Sequence, residues 1–351
     1  GGKGSTGGAP SGVSSGVNPS GAIRAVFGLG GRFELGAGGR RRDKHGQRGG
    51  KQCAEERAAR IYDGASEVHR MYGQQLEYLD MMRVRQNLKS ARYFHGLRDR
   101  RAFHIHPLNY LRGLADEVER LGGQIFEASP ATGHALSGLT KQVMTAQGRI
   151  TAQRVVFATG GYTGALVPRL RRAVLPIATY MMLSEAAPDL LSAVIRTREA
   201  VLDDRRAADY YRIVDDGRRL LWGGRITTRA ASAIGVAREL RREMVGVYPQ
   251  LAGLKTEIAW SGLMGYARHK MPQIGQMAPE VWYATAFGGH GLNTTAIAGK
   301  VLAEAILGES DRVAMFAPFG LKWAGGRFGL AAAQLTYWGL QAQDWWRERT
   351  G

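Results

Sequence analysis

The feature that most constrains the fold is a strand, a glycine turn and a helix in direct succession near residue 290. Val281–Phe287 is a run of apolar and β-prone residues, Gly288-Gly289-His290-Gly291 follows it, and Thr294–Leu307 has a helical pattern that Gly308 ends. Two adjacent glycines let the backbone approach a ligand closely, and Asn293 or Thr294 is predicted to cap the helix. The helix N-terminus would favour a ligand that carries or gains negative charge. Glycines that serve packing alone are an equally good interpretation of this turn.

The composition gives little support for a partner that binds through charge, such as a nucleic acid. The 351 residues contain 48 Lys and Arg against 30 Asp and Glu, a formal net charge of +18. The arginines are scattered along the chain, which indicates a compositional bias rather than a nucleic-acid surface. Cys53 is the single cysteine, which excludes an intrachain disulfide and a cysteine-based metal cluster. We expect a soluble cytoplasmic protein with no nucleic-acid partner, no metal and no integral membrane segment.

The first fifty residues differ from the rest of the chain. They hold 17 of the 49 glycines and almost no periodic apolar pattern, so we predict an irregular segment over 1–53. Ala22–Phe27 is the only hydrophobic stretch there and the only candidate strand.

From residue 54 onward the pattern is typical of an α/β protein. Residues 54–88 place apolar side chains near helical spacing, and Pro107–Leu121 predicts a helix with proline in its first turn. A two-glycine break then separates this helix from Gln124–Glu127, which is predicted as a strand. Helix, break and strand in this order indicate α/β units.

The middle of the chain adds further elements. The stretch 141–153 predicts a hairpin, and 154–158 predicts a buried strand that stops at Thr159-Gly160-Gly161. Strands are also predicted around 209–214 and 220–225, with an amphipathic helix over 236–247.

Several sequence blocks occur in the order found in one flavoprotein superfamily. They are His106-Pro107 with Tyr110, Val155–Gly161 (VVFATGG), Asp209–Arg212 (DYYR), Leu221–Arg225 (LWGGR), Trp260–Gly265 (WSGLMG), Met271–Gly275 (MPQIG), and the strand and glycine turn over 281–291. Over about residues 90–345 the chain resembles the FAD-dependent amine oxidoreductases of the D-amino acid oxidase, glycine oxidase and sarcosine oxidase type. Gly325-Gly326-Arg327 and the aromatic-rich helix after it resemble the gamma-glutamylputrescine oxidase branch.

The resemblance implies an α/β fold: an FAD/NAD(P)-binding, glutathione-reductase-like domain with an inserted mixed-sheet substrate domain. The expected FAD-binding domain comprises 54–170 and 262–310, and the substrate domain comprises 171–261. A C-terminal tail over 311–351 carries the aromatic helix, with Tyr337, Trp338, Trp345 and Trp346. We expect this helix to pack on its own domain, the alternative being a membrane surface or a partner.

The resemblance also implies a reaction and a set of site residues. The expected reaction is oxidation of an amine or amino acid to an imine and then an aldehyde or keto acid, with noncovalent FAD and with oxygen or another electron acceptor. The substrate-side candidates are Tyr180, Tyr211, Trp222 and His290. The cofactor-side candidates are Ala131, Thr159, Gly160, Gly161, Gly262, Gly288, Gly289, Gly291, Leu292, Asn293 and Thr294.

One departure from the family pattern concerns the N-terminus. Members begin with a strand, a G-x-G-x-x-G turn and a helix that hold the FAD pyrophosphate. Here Gly28-Leu29-Gly30 has Phe33 at the third glycine position, and Gly36-Ala37-Gly38 has Arg41 there. The segment up to Gln52 is interpreted as coding sequence read out of frame or as a replaced N-terminus. Two alternatives therefore stay open beside the enzyme: a non-catalytic remnant of the fold that has lost FAD binding, and a basic interaction protein.

Overall fold

The computed structural model describes residues 22–27, 73, 75–205, 209–228 and 232–350. Its strands are β1 Ala22–Phe27, β2 Leu76–Leu79, β3 Tyr93–Asp99, β4 Ala131–Ala135, β5 Lys141–Thr145, β6 Arg149–Ala152, β7 Val155–Phe157, β8 Leu175–Ser184, β9 Ala200–Asp203, β10 Tyr210–Val214, β11 Arg219–Thr227, β12 Thr256–Tyr266, β13 Gln273–Ala278 and β14 Val281–Thr285. Its α-helices are α1 Met81–Asn87, α2 Pro107–Arg120, α3 Pro168–Ala173, α4 Pro188–Val194, α5 Ala233–Val247, α6 Gly291–Leu307 and α7 Gly326–Thr350. Among these described residues, no helix is both long and apolar enough to cross a membrane.

Eight strands form one mixed sheet in the order β12-β8-β11-β10-β9-β1-β3-β2. Neighbours in this sheet are antiparallel except β1 and β9, which are parallel. The candidate strand at Ala22–Phe27 is confirmed, and it lies between two strands of the sheet. The prediction of an irregular segment over 1–53 is therefore wrong at these six residues, because they pair with β3 and β9. The rest of the segment 1–53, predicted to be irregular, lies outside the described residues.

The main core lies between this sheet and helices α1, α4 and α5. Buried side chains alternate along β10, along the second half of β8 and at the start of β11, so that Tyr180, Tyr211 and Trp222 lie in the core against the helices. Trp222 is fully buried there, and its ring stacks on Tyr211 with 4.3 Å between centroids. Such aromatic pairs contribute much of the burial in a core.

Two smaller sheets lie beside the large one, with orders β13-β14-β7 and β4-β5-β6. All five residues of β14 are buried. Val281 and Tyr283 pack on the α3 side, whereas Trp282 and Ala284 pack towards α6. A strand covered on both faces is typical of the parallel sheets of α/β proteins, and β14 does pair in parallel with β7.

Two elements of the described structure, helix α2 and strand β7, are not fully covered by other elements. Helix α2 buries none of its residues, and Leu111 and Leu121 are 62% and 71% exposed. Within the described part of the chain β7 is the edge strand of its sheet, and Val156 on it is 45% exposed. The predicted strand at Gln124–Glu127 is wrong: the structure has no strand there. Because a strand forms by pairing, a segment with no partner strand stays irregular however apolar it is.

Other predicted elements are corrected in detail. Residues 54–72 lie outside the described part, and the helical spacing of the residues after them is wrong in part because 76–79 is the strand β2. The predicted helices at 107–121 and 236–247 are confirmed as α2 and α5, and the hairpin at 141–153 is β5 and β6.

The sheet pairing crosses the predicted domain boundaries. β2 and β3 come from the part of the chain assigned to the FAD-binding domain, yet they belong to the eight-stranded sheet. The boundary at 261 falls inside β12. The division into two domains stays a prediction.

Helix α7 differs from the expectation that its aromatic side chains pack on the domain. Tyr337 is buried, but Trp338, Trp345 and Trp346 are 45%, 51% and 63% exposed. The side chains that α7 buries include Gln334 and Asp344, so its inward face is partly polar.

A buried ion cluster joins the large sheet to α5. The Arg205 guanidinium lies 2.7 Å from an Asp203 carboxylate oxygen and 3.2 Å from Glu243, and it also binds the Asp209 carboxylate. The side chains of Asp203 and Asp209 are 0% and 3% exposed. Burial raises the pKa of both carboxyls, and Arg205 opposes that rise. The cluster therefore depends on one cation shared by buried carboxylates.

Replacing that cation tests its role in stability. We predict that Arg205→Met lowers the free energy of unfolding by about 3–5 kcal/mol, because it leaves buried carboxylates without their cation. As a control, Arg120→Met removes the exposed pair with Glu117 and costs at most about 1 kcal/mol.

The pH dependence of this loss follows from the sign of the pKa shift. Without Arg205 the buried carboxyls have folded-state pKa values above their unfolded ones, so the folded state gains stability as they take up protons. The loss measured by urea unfolding should be smaller in mildly acidic than in mildly alkaline buffer. Equal losses in the two variants would contradict this account.

Candidate functional site

The predicted glycine turn between β14 and α6 is a short 3₁₀ segment, Gly288–His290. Gly288 has a φ of +58°, a backbone conformation that residues other than glycine rarely adopt. A Cβ atom on Gly288 would also lie 2.9 Å from a ring carbon of Tyr266. Gly288 is therefore required by the packing of the turn on β12.

The two following glycines are not needed for packing. A Cβ on Gly289 would meet the Tyr266 hydroxyl at 3.5 Å and the Met264 sulfur at 3.8 Å, which are ordinary contacts. A Cβ on Gly291 would meet only Phe287 and Thr295, at 3.7 and 3.9 Å. The space before the start of α6 is thus open, and a ligand can approach the backbone there.

The start of α6 corrects the predicted caps. The helix begins at Gly291, three residues before the predicted start, and no side chain caps it. The Thr294 hydroxyl donates to the His290 carbonyl oxygen at 2.6 Å, and the Thr295 hydroxyl donates to that of Gly291. Thr294 therefore caps nothing, and Asn293 is an exposed residue of the first turn. The first-turn amides have no intrahelical acceptor, so they can stabilise an anionic group.

The second predicted turn, Thr159-Gly160-Gly161, follows β7 and packs on β12. A Cβ on Gly161 would lie 3.0 Å from the Leu263 carbonyl oxygen, and one on Gly265 would lie 3.1 Å from the Gly161 nitrogen. The Leu263 amide donates to the Tyr162 hydroxyl at 3.0 Å. Gly161 and Gly265 thus allow two backbones to touch.

The two turns lie at one edge of the small sheet. β7 and β14 are parallel, with Val281 paired to Val155 and Tyr283 to Phe157. Their carboxyl ends therefore point the same way, and both turns reach β12. The edge beyond the carboxyl ends of parallel strands is where α/β sheets bind ligands.

One face of the large sheet meets this edge. The Tyr210 hydroxyl shares a hydrogen bond with Thr179 at 3.2 Å, and the Tyr210 ring lies against Gly223, where a Cβ would overlap it. Burial raises the pKa of Tyr210, so its hydroxyl stays protonated at neutral pH. Tyr266, from β12, extends this face to Gly288. The sequence prediction did not include Tyr210, Thr179 or Tyr266.

Three predicted substrate-side aromatics lie on the opposite face, in the core. Tyr180, Tyr211 and Trp222 are 1%, 3% and 0% exposed. The Tyr211 hydroxyl lies 2.6 Å from that of Tyr248, and burial raises the pKa of both. Adjacent residues of a strand point to opposite faces, so Tyr210 and Tyr211 cannot both face the turns. Strand alternation is the signal that separates them.

The remaining predicted residues are distributed as follows. His290 is exposed in the turn, and Leu292 is 49% exposed in the first turn of α6. A Cβ on Gly262 would reach only the Tyr162 hydroxyl, at 4.0 Å. Ala131 is exposed at the start of β4, in a different sheet from both turns.

Comparison with known proteins decides the family. The sequence profile of the family described as FAD dependent oxidoreductase (DAO) matches residues 2–305. The chain belongs to this FAD-dependent oxidoreductase family. Gamma-glutamylputrescine oxidoreductase of Escherichia coli is 34% identical over 250 residues, which are 70% of this chain and 58% of that protein. The probable oxidoreductase OrdL of Haemophilus influenzae is 32% identical over 75% of this chain and 61% of its own length.

Solved structures agree on the fold. Glycine oxidase from Geobacillus kaustophilus superposes with a TM-score of 0.68 at 18% identity, over 88% of this chain and 76% of that one. L-proline dehydrogenase from P. horikoshii gives a TM-score of 0.63 at 14% identity, over 84% and 74% of the two chains. These matches confirm the predicted α/β flavoprotein fold with its mixed sheet. The chain spans about three fifths of the length of the two curated relatives.

FAD, the cofactor of the family, fits one part of the described structure. The open backbone at Gly289 and Gly291 and the uncapped start of α6 suit a planar ring that gains negative charge. The pyrophosphate end requires a strand, a G-x-G-x-x-G turn and a helix, and the turns at 28–33 and 36–41 lie outside the described residues. The described part also has no group of three or more His, Cys, Asp and Glu residues placed to hold a metal ion.

A pair of alanine substitutions distinguishes the glycine that the packing of the turn requires from the glycine that leaves space for a ligand. Gly288→Ala should lower the free energy of unfolding by about 1–3 kcal/mol, because it combines a strained φ with overlap on Tyr266. Gly291→Ala should leave stability unchanged or raise it slightly, because Gly291 has a helical φ of −62° and room for a methyl group. Thermal unfolding measures both, and a larger loss at Gly291 would contradict the assignment.

Proposed function

We propose that this chain carries the ring-binding and substrate-facing part of an FAD-dependent amine oxidoreductase. The substrate is a primary or secondary amine or an amino acid of the gamma-glutamylputrescine kind. Its oxidation gives an imine, which water hydrolyses to an aldehyde or keto acid. The proposal is supported by family membership, by the name of the E. coli relative, and by one observation above all: two glycine turns and the start of α6 open at the same sheet edge, where both turns contact β12.

FAD supplies the oxidation when it is bound, taking a hydride equivalent from the carbon next to the amine nitrogen. The chain's own contribution begins at the first-turn amides of α6, which stabilise negative charge on whatever lies against Gly289 and Gly291. Tyr210 presents a protonated hydroxyl that can orient a polar group of the substrate. Met264 and the Tyr266 ring lie beside the turn and form one wall of the space before α6.

The attachment of FAD is proposed to be noncovalent. Cys53, the only cysteine, is far in sequence from the block that forms the two turns. In this proposal the electron acceptor is oxygen or another oxidant, and the protein is located in the cytoplasm.

A non-catalytic remnant of the flavoprotein fold, one that has lost FAD binding, remains a second candidate. β7 has a free edge among the described strands, and α2 has an uncovered apolar face. Among the described strands, none pairs with that edge of β7 to extend the sheet towards a pyrophosphate site. Titration of the purified full chain with FAD, followed by the ratio of bound flavin to protein, separates the two: stoichiometric binding supports the enzyme, and no binding supports the remnant.

Substitutions in the turn test where the ring lies. With FAD in excess, Gly289→Val or Gly291→Val should lower the bound flavin, because the added methyl groups fill the space before α6. Gly291→Ala is the matched control for the helix start and should lower it less. His290→Ala should keep its flavin but turn over amine more slowly, since we place this exposed side chain on the substrate side. Unchanged flavin content and turnover in Gly291→Val would mean that the turn serves packing only.

Adjacent tyrosines test which sheet face holds the substrate. Tyr210→Phe should lower kcat/KM by about three- to tenfold, the effect of losing one hydrogen bond. Tyr211→Phe loses the buried bond to Tyr248 and should lower the free energy of unfolding by about 1–3 kcal/mol, with kcat/KM unchanged at full flavin occupancy. The reverse pattern would place the substrate on the other face.

A further inference from the structure

A groove of about 270 Å³ separates α3 from the segment that leads into α7. Its lining includes Arg171, Arg172 and Trp323. The Ala324 amide donates to the Arg172 carbonyl oxygen at 2.8 Å, which holds the two segments together. The groove is thus a fixed feature of the fold that joins basic side chains to an indole.

Two exposed basic residues, Arg171 and Arg172, line this groove, and Lys322 and Arg327 are exposed directly beside its lining residues Trp323 and Gly326 in the sequence. We call these four residues the cationic patch. None of the four forms an ion pair with an acidic side chain of the described residues. Many arginines elsewhere in the described structure do pair with Asp or Glu, as Arg312 does with Glu304. The patch therefore presents uncompensated positive charge.

Large apolar side chains continue from the patch along α7, and we call them the aromatic face. Trp323 is 55% exposed, Phe328 is 83% exposed and Leu335 is 64% exposed. Trp338 and Trp346 extend this face towards the end of the helix, at 45% and 63%. In helical projection, positions 328, 335, 338 and 346 fall on one side of α7, within a sector of about 100°.

The opposite side of α7 faces the protein and is partly polar. Gln334 accepts a hydrogen bond from the Thr228 amide at 2.9 Å, and Gln334, Tyr337 and Asp344 are all buried. A surface helix ordinarily turns its apolar side inward. Here the helix is docked by polar contacts while its aromatic face is exposed.

We propose that the cationic patch and the aromatic face bind the surface of an anionic lipid membrane, with α7 lying in the plane of the interface. An exposed stripe of Trp, Phe and Leu next to basic side chains is the composition of interfacial helices. Each basic side chain near an anionic membrane surface contributes attraction of about 1 kcal/mol. The aromatic face needs an apolar phase, which lipid acyl chains supply.

Charge argues for this occupant over a second copy of the chain. The formal net charge is +18, so two chains that met through the cationic patch would repel each other. An anionic membrane instead offers opposite charge and apolar depth at one surface.

Vesicle co-sedimentation of the full chain tests the proposal and requires no flavin, so its outcome is independent of the proposed enzyme activity. The probes are vesicles of phosphatidylcholine alone and of phosphatidylcholine mixed with an equal part of phosphatidylglycerol. We expect binding to the mixed vesicles only, weakened by salt, with a blue shift of tryptophan emission. The double variant Arg171→Glu/Arg172→Glu should lower the partition coefficient by about tenfold or more.

Matched controls separate the patch from general charge. Arg112→Glu/Arg149→Glu makes the same charge change at exposed residues elsewhere and should bind nearly as well as the original chain. Phe328→Asp alters a side chain that is 83% exposed, so it should fold normally and also lose vesicle binding.

Three results would overturn the proposal. The first is equal binding to the two kinds of vesicle, and the second is an equal loss in the two double Arg→Glu variants. The third is a dimer in sedimentation equilibrium that Phe328→Asp dissociates, which would make the aromatic face an interface between copies of this chain.

Discussion

The parallel pairing of β7 with β14 is the constraint on which the candidate site depends. Because both strands run the same way, the turns that follow them emerge at one edge of the sheet, although their starts at Gly160 and Gly288 lie 128 positions apart in the sequence. β12 then fixes both turns, through Leu263 on one and Tyr266 on the other. The eight-stranded sheet is thereby held against the edge, with Tyr210 on the face that meets it.

The glycines of this region divide into two physical classes. Gly161, Gly265 and Gly288 are required because another backbone or a ring occupies the place of a Cβ atom. Gly289 and Gly291 have room for one, so the protein's own packing does not explain them. The family supplies an explanation, because a flavin ring needs a backbone that it can approach. The sequence alone left packing and ligand approach balanced. The structure shows which glycines the packing needs, and we propose that Gly289 and Gly291 serve ligand approach.

Prediction from the sequence succeeded where a pattern is local. The strand–turn–helix near residue 290, α2, α5 and the 141–153 hairpin all follow from periodicity, proline and glycine, and the ordered blocks indicated the family.

Prediction from the sequence failed where a partner strand or a packed helix decides the outcome. Gln124–Glu127 is apolar enough for a strand, but no strand of the described residues pairs with it. Tyr211 and Trp222 belong to the core because their face of the sheet is the one that meets α5. Alternation along β10 distinguishes Tyr210 from Tyr211 but cannot say which face is the inner one.

Hydrogen exchange with and without FAD is the most direct test of the central claim that both turns and the start of α6 hold the ring. At saturating FAD the account predicts slower exchange of the amides at 160–163 and 289–294, with little change at the buried core around Trp222. Protection confined to other segments, or no protection at either turn, would contradict it.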